Sequence, residues 1–215
     1  MSYEYIFFDF DGTLVNTVEG TAKSAQYALN QLSINTDNIE NLGKIFCGPP
    51  LKESFSKFLT NEDDIKRAIE LYKSYQAENT IELSKIYDGI KELLERLKDK
   101  GKSLNVVTLK SRETTIKILK FLGIDQYFDN IIGMCIKFPN QNKREMLKYV
   151  TQEIDSNKAI MIGDRKSDIE AGNYCEIDTI AVLYGMDSFE ILSTVNPTFF
   201  AKNTNEIYKI ICQEK

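Results

Sequence analysis

Short apolar strands alternating with amphipathic helices limit what this chain can fold into more than any other feature of its sequence. From Tyr5 it runs Tyr-Ile-Phe-Phe-Asp and then breaks at Asp11-Gly12, the pattern of a buried strand ending in a loop. Leu104 to Thr108, Ile131-Ile132, Ala159 to Ile162 and Thr179 to Leu183 read as further strands. Helical patterns lie between them. Ile90, Leu93, Leu94 and Leu97 share a face before a stop at Gly101, and Ser111 caps a second helix that closes at Leu122-Gly123. This alternation predicts an α/β fold, a mostly parallel sheet covered on both faces. In such sheets, ligands bind beyond the carboxyl ends of the strands.

The segment after the first strand has a different texture. Val18, Ala22, Ala25, Leu29 and Leu32 recur in steps of four and three, which marks one face of a helix. Helical patterns return in 51–59 and 62–78, where Ile65, Ile69 and Tyr72 share a face, and no strand is expected between 15 and 82. The expected organisation is an α/β core of residues 1–14 and 83–215, with 15–82 inserted as a helical domain.

Composition excludes several chemistries. The 215 residues contain no histidine, which removes Ser-His-Asp triads and His-ligated zinc, and leaves a cysteine nucleophile without its usual base. Any metal then falls to oxygen ligands, which points to magnesium or another hard cation. Cys47, Cys135, Cys175 and Cys212 are scattered, without a C-x-x-C pair, as in a reduced cytosolic protein. Lys and Arg total 27 against 32 Asp and Glu, so no excess positive charge is available to grip a nucleic-acid polymer. No run is apolar enough to span a bilayer, and the N-terminus lacks the basic start of a secretion signal. A cytoplasmic protein is expected; the sequence leaves its oligomeric state open.

Four carboxylates fall at strand ends. Asp9 and Asp11 close the first strand, and Asp164 and Asp168 follow the Ile160-Met161-Ile162 strand after Gly163. A lone Asp-x-Asp more often serves a turn or a helix cap. Two acidic strand ends in one parallel sheet are harder to explain by capping. Carboxylates crowded into one crevice repel one another, and a divalent cation relieves that repulsion, so the clustering predicts a metal. Thr108 ends the Val106-Val107 strand and Lys143 opens a helix. A hydroxyl and an ammonium directed at one point can hold the oxygens of a phosphate.

Taken together, Asp9-Phe10-Asp11-Gly12-Thr13, Thr108, Lys143 and Gly163-Asp164-Arg165-Lys166-Ser167-Asp168 resemble the four motifs of the haloacid dehalogenase superfamily, in order and over essentially the whole chain. Cys47-Gly48-Pro49-Pro50-Leu51 and Val182-Leu183-Tyr184-Gly185 resemble its phosphoglycolate phosphatase subgroup. The resemblance implies a Rossmann-like core with an inserted helical cap of the C1 type. It also implies a magnesium-dependent phosphatase that acts on a small phosphorylated metabolite through an aspartyl-phosphate. In it Asp9 is the nucleophile, while Asp11 protonates the leaving oxygen and then activates water. Thr108 and Lys143 hold the phosphoryl group, with Gly12, Thr13, Leu109 and Gly48 near the substrate. Asp9, Asp11 (through its carbonyl), Asp164 and Asp168 surround the metal. Leu109, Arg144, Asn16 and Thr17 depart from the subgroup's usual residues. A phosphomutase of the β-phosphoglucomutase type, and a nucleotidase or sugar-phosphate phosphatase, share the same core residues. A non-catalytic binding protein would show erosion of at least one of these positions, and none is eroded.

Overall fold

The structure is a computed structural model that describes residues 3–36, 38–47, 49–135 and 142–213. The chain divides into two compact units, Met1–Val15 with Ile86–Lys215, and Asn16–Lys85.

The first unit is built on β1 (Tyr5–Phe8), β4 (Ser103–Ser111), β5 (Asn130–Met134), β6 (Ala159–Gly163), β7 (Asp178–Val182) and β8 (Phe199–Ala201). They form one sheet in the order β5-β4-β1-β6-β7-β8, and every neighbouring pair is parallel. Tyr5 to Phe8 pair with Ser103 to Val106 on one side and Ala159 to Ile162 on the other, so the first strand is interior and its C-terminal end opens between two others. Successive side chains on a strand face opposite ways. Phe7 joins Val107, Met161, Met146, Leu147 and Ala171 in one apolar cluster, while Phe8 meets the edge of Phe128 with ring centroids 6.5 Å apart. Both faces are therefore dry. This explains why the strands read as continuous apolar runs rather than alternating ones.

Helices fill the connections: α5 (Ile90–Asp99), α6 (Arg112–Phe121), α7 (Lys143–Thr151), α8 (Lys166–Tyr174), α9 (Phe189–Ser193) and α10 (Thr204–Cys212). Ser111 caps α6 by accepting the Thr114 N–H, as its position predicts. No helix among the described residues is long and apolar enough to cross a membrane.

The second unit holds α1 (Val18–Gln31), α2 (Ile39–Phe46), α3 (Leu51–Phe55) and α4 (Glu62–Asn79). Ala22, Ala25 and Ala28 of α1 supply small side chains that admit α2 and α4 closely, and with Leu29 they pack around the rings of Phe46, Phe55 and Tyr72. Phe46 meets Phe55 edge-on at 4.7 Å and stacks on Tyr72 at 6.2 Å. Two details differ from the sequence reading. Val15–Asn16, in the stretch where no strand was expected, forms a short strand, β2, paired with Lys85–Ile86, β3. Two residues are too few to generate a periodicity. The helix expected over 51–59 ends at Phe55, where Ser56 closes it.

Phe55 is fully buried, so Phe55→Ala is expected to cost about 3–5 kcal/mol of this unit's stability. A urea melt followed by far-UV circular dichroism should show a lowered midpoint. An unshifted melt would place the ring outside a packed core.

Candidate active site

Asp9 is the first residue past β1, and its N–H donates to the Ile162 carbonyl of β6 at 2.8 Å, so the sheet itself fixes its backbone. Its buried carboxylate accepts from Lys143 Nζ at 2.6 Å, and the same ammonium donates to Asp168 Oδ1 at 2.5 Å. Lys143 begins α7, three and four residues before the buried Met146 and Leu147. At that spacing it shares their face, and packing that face against the sheet carries the ammonium inward.

Asp164 follows β6 and is fully buried. Its Oδ1 accepts from the Thr13 hydroxyl and its Oδ2 from the Met186 N–H, both at 2.9 Å. Gly12, at φ +90°, and Gly185 both lie against this carboxylate, and a Cβ on either would overlap it. Asp168, in the first turn of α8, accepts the Arg165 N–H on one oxygen and Lys143 on the other. It thus serves both the helix start and the buried cluster.

Asp9, Asp164 and Asp168 each bring an oxygen within 4.8 Å of the others, and all three residues are buried. Burial is the foremost reason the Asp9 carboxyl is pushed well above its ordinary range, with the Asp168 and Asp164 charges adding to it and Lys143 partly offsetting it. Burial and Asp168 push Asp164 up to about 7, against the pull of the Met186 and Thr13 hydrogen bonds. Burial works against the Lys143 charge, but Asp168 and Asp9 outweigh it and hold the ammonium protonated. A buried set of hard oxygen donors with surplus negative charge fits a small divalent cation such as magnesium.

The Asp11 carboxylate does not join that trio. Its two oxygens accept from Lys110 Nζ, at 3.0 and 3.2 Å, in a pair with little exposure on either side. Thr108 is buried on β4, where its Oγ1 accepts the Lys110 N–H at 3.1 Å and leaves its own proton to donate elsewhere. Leu109 packs its side chain on the apolar cluster around Phe7, so what it offers a ligand is main chain. Gly48 lies outside the described residues. Lys23, Lys44 and Lys52 of the second unit each pair with a glutamate of the same unit: Glu19, Glu40 and Glu62.

Sequence reasoning missed the support supplied by 184–187. Besides Met186, Tyr184 donates its hydroxyl to the Thr13 carbonyl at 3.0 Å, and the Asp187 side chain takes the Lys166 N–H at 2.8 Å. The usable signal was Gly185 soon after a strand, in a sheet whose ligands sit at strand ends.

The raised Asp164 carboxyl carries a sign for stability. Its folded value lies above its unfolded one, so its contribution is complete below the ordinary carboxylate range and is lost as pH rises to about 7. Metal-free protein is expected to lose on the order of 2–3 kcal/mol between pH 5 and pH 7. Differential scanning calorimetry of chelated protein should show the melting temperature falling over this interval, with added magnesium restoring more at pH 8 than at pH 5. A metal-free melting temperature that rises with pH would contradict the crowding of these carboxylates.

Residues 6–182 match the family model described as haloacid dehalogenase-like hydrolase. A 5'-nucleotidase of Pseudomonas aeruginosa is 29% identical, covering 98% of this chain and 96% of its own. The pyrophosphatase PpaX of Listeria monocytogenes is 30% identical, covering 98% and 97%. The crystal structure of a predicted phosphatase from Clostridium acetobutylicum is 34% identical and superposes with a TM-score of 0.92 over 99% of this chain and 100% of that one. The chain belongs to the haloacid dehalogenase-like hydrolases and is a phosphatase of that family.

Proposed function

We propose that the protein is a magnesium-dependent phosphomonoester hydrolase that passes the phosphoryl group of a small metabolite through Asp9. The observation that carries this reading is the buried trio of Asp9, Asp164 and Asp168 with Lys143 between two of its members. A carboxylate that attacks an anionic phosphate must overcome like charge, and positive groups on both sides of the reacting oxygen remove that barrier.

Lys143 engages Asp9 Oδ1, which leaves Oδ2 as the attacking atom. Attack forms the Asp9–phosphorus bond and breaks the ester bond, while Asp11, in its acid form, gives a proton to the departing oxygen. Water then attacks phosphorus, Asp11 takes its proton, and the Asp9–phosphorus bond breaks to release phosphate. The Thr108 hydroxyl and Lys143 hold the non-bridging oxygens throughout. The carboxylates of Asp9, Asp164 and Asp168 and the main-chain carbonyl of Asp11 would hold magnesium, which supplies positive charge to the transferring phosphoryl group. The helical unit, Asn16–Lys85, would act as the cap that selects the substrate.

Substrates to compare are phosphoglycolate, nucleoside monophosphates, sugar phosphates and, given the PpaX relative, pyrophosphate. The similarity to a nucleotidase and to a pyrophosphatase supports small phosphorylated molecules as the class. Ranking by kcat/KM identifies the preferred one.

Asp9→Asn is expected to reduce turnover of p-nitrophenyl phosphate by about a thousandfold or more, and acid-quenched protein should then carry no phosphate. Chelation should abolish wild-type turnover, and magnesium should restore it. Undiminished activity in either experiment would defeat the proposal.

A further inference from the structure

Lys110 has no place in the scheme above, yet it makes a part-buried ion pair with Asp11 that lies apart from the trio. It sits near the end of β4, within the stretch between Val107 and Ser111 where the β4–β5 register is irregular. Thr108 Oγ1 accepts its backbone N–H, and Leu109 beside it is anchored in the apolar cluster. The main chain that leads into Lys110 is thereby held. Its side chain reaches across to the loop after β1 and meets both oxygens of Asp11.

A surface lysine would gain little from such a contact, because water competes for both partners. Here the side chains are only 7% and 14% exposed, so breaking the pair leaves a poorly solvated charge on each side. Held at both oxygens by one ammonium on a fixed stretch of strand, the Asp11 side chain is confined to a single orientation.

From this we infer that Lys110 is a positioning residue for hydrolysis of the phosphoenzyme. It fixes the Asp11 side chain in the orientation from which it acts on the attacking water. The inference rests on the proposed phosphatase reading and adds a division of labour between two lysines. Lys143 serves the nucleophile, and Lys110 serves the acid–base residue.

The test separates the two half-reactions. p-Nitrophenolate leaves without needing a proton, so formation of the phosphoenzyme from p-nitrophenyl phosphate depends little on Asp11. In Lys110→Met, the phosphoenzyme trapped after a pulse of radiolabelled substrate is expected to decay about 10- to 100-fold more slowly than in the wild type, while its formation changes by less than about threefold. Lys110→Arg should recover most of the decay rate, since a guanidinium also engages both carboxylate oxygens. Lys110→Gln provides a neutral variant with a retained donor should the methionine variant fold poorly; it is expected to show the same selective slowing.

Unchanged decay in the methionine and glutamine variants overturns the inference while leaving the phosphatase reading intact. Equal slowing of formation and decay, with no rescue by arginine, also overturns it, because that is the signature of general damage to the site. A wild-type protein that forms no phosphoenzyme and shows no turnover overturns the phosphatase reading itself.

Discussion

The ammonium of Lys143, set between Asp9 and Asp168 where water hardly reaches, is the contact on which the rest of the site depends. A charged lysine is expensive to bury, and burial works to remove its proton; two carboxylates at hydrogen-bond distance reverse the outcome. The same contact ties α7 to the end of β1 and to the start of α8, three elements far apart in the chain. Removing either partner would leave a buried charge unanswered, so structural integrity and reactive geometry are here the same constraint. A surface site could tolerate a looser arrangement.

Asp164 is held by a different means. Its two oxygens are taken by Thr13 and by the main chain at Met186, and the glycines at 12 and 185 allow the two loops to close on it from opposite sides of the sequence. Tyr184 adds a second link between those loops through the Thr13 carbonyl. A carboxylate fixed by neutral donors keeps its position without having its charge cancelled. That suits a group whose negative charge is needed by a cation, and it contrasts with Asp9 and Asp168, which share an ammonium.

The interior of the sheet was legible because β1, β4, β6 and β7 are buried on both faces and so appear as unbroken apolar runs bounded by turns. Shorter elements gave no such signal. The edge strand at Phe199–Ala201 has three residues, and the helix at Ile39–Phe46 carries Gly43 in its interior, which weakens any helical pattern. Among the site residues, the aspartates stood out because two of them follow each of two strands at fixed short spacing. Lys143 was marked by its place at a helix start and by the family resemblance. Lys110 is separated from Asp11 by 99 positions, and nothing in local spacing connects them. Contacts of that kind are made by the order of strands in the sheet, here β4 beside β1, and only the folded chain reveals them.

Strand order also explains why the negative charge is divided. Four carboxylates gather at the ends of β1 and β6, and two ammoniums answer them, Lys143 from α7 and Lys110 from β4. In formal charge the remainder is two negatives, which a single divalent cation matches and a monovalent one does not. The excess is not spread evenly: Asp11 is already balanced by its own lysine, so the deficit falls on Asp9, Asp164 and Asp168. In the proposed mechanism a cation drawn to that deficit would be held by the trio that contains the nucleophile, Asp9, and not by the side chain of Asp11, the proposed acid–base residue. Asp11 thus remains free of direct competition between a metal and a proton for its side chain, a separation that its place two residues beyond Asp9 alone would not provide.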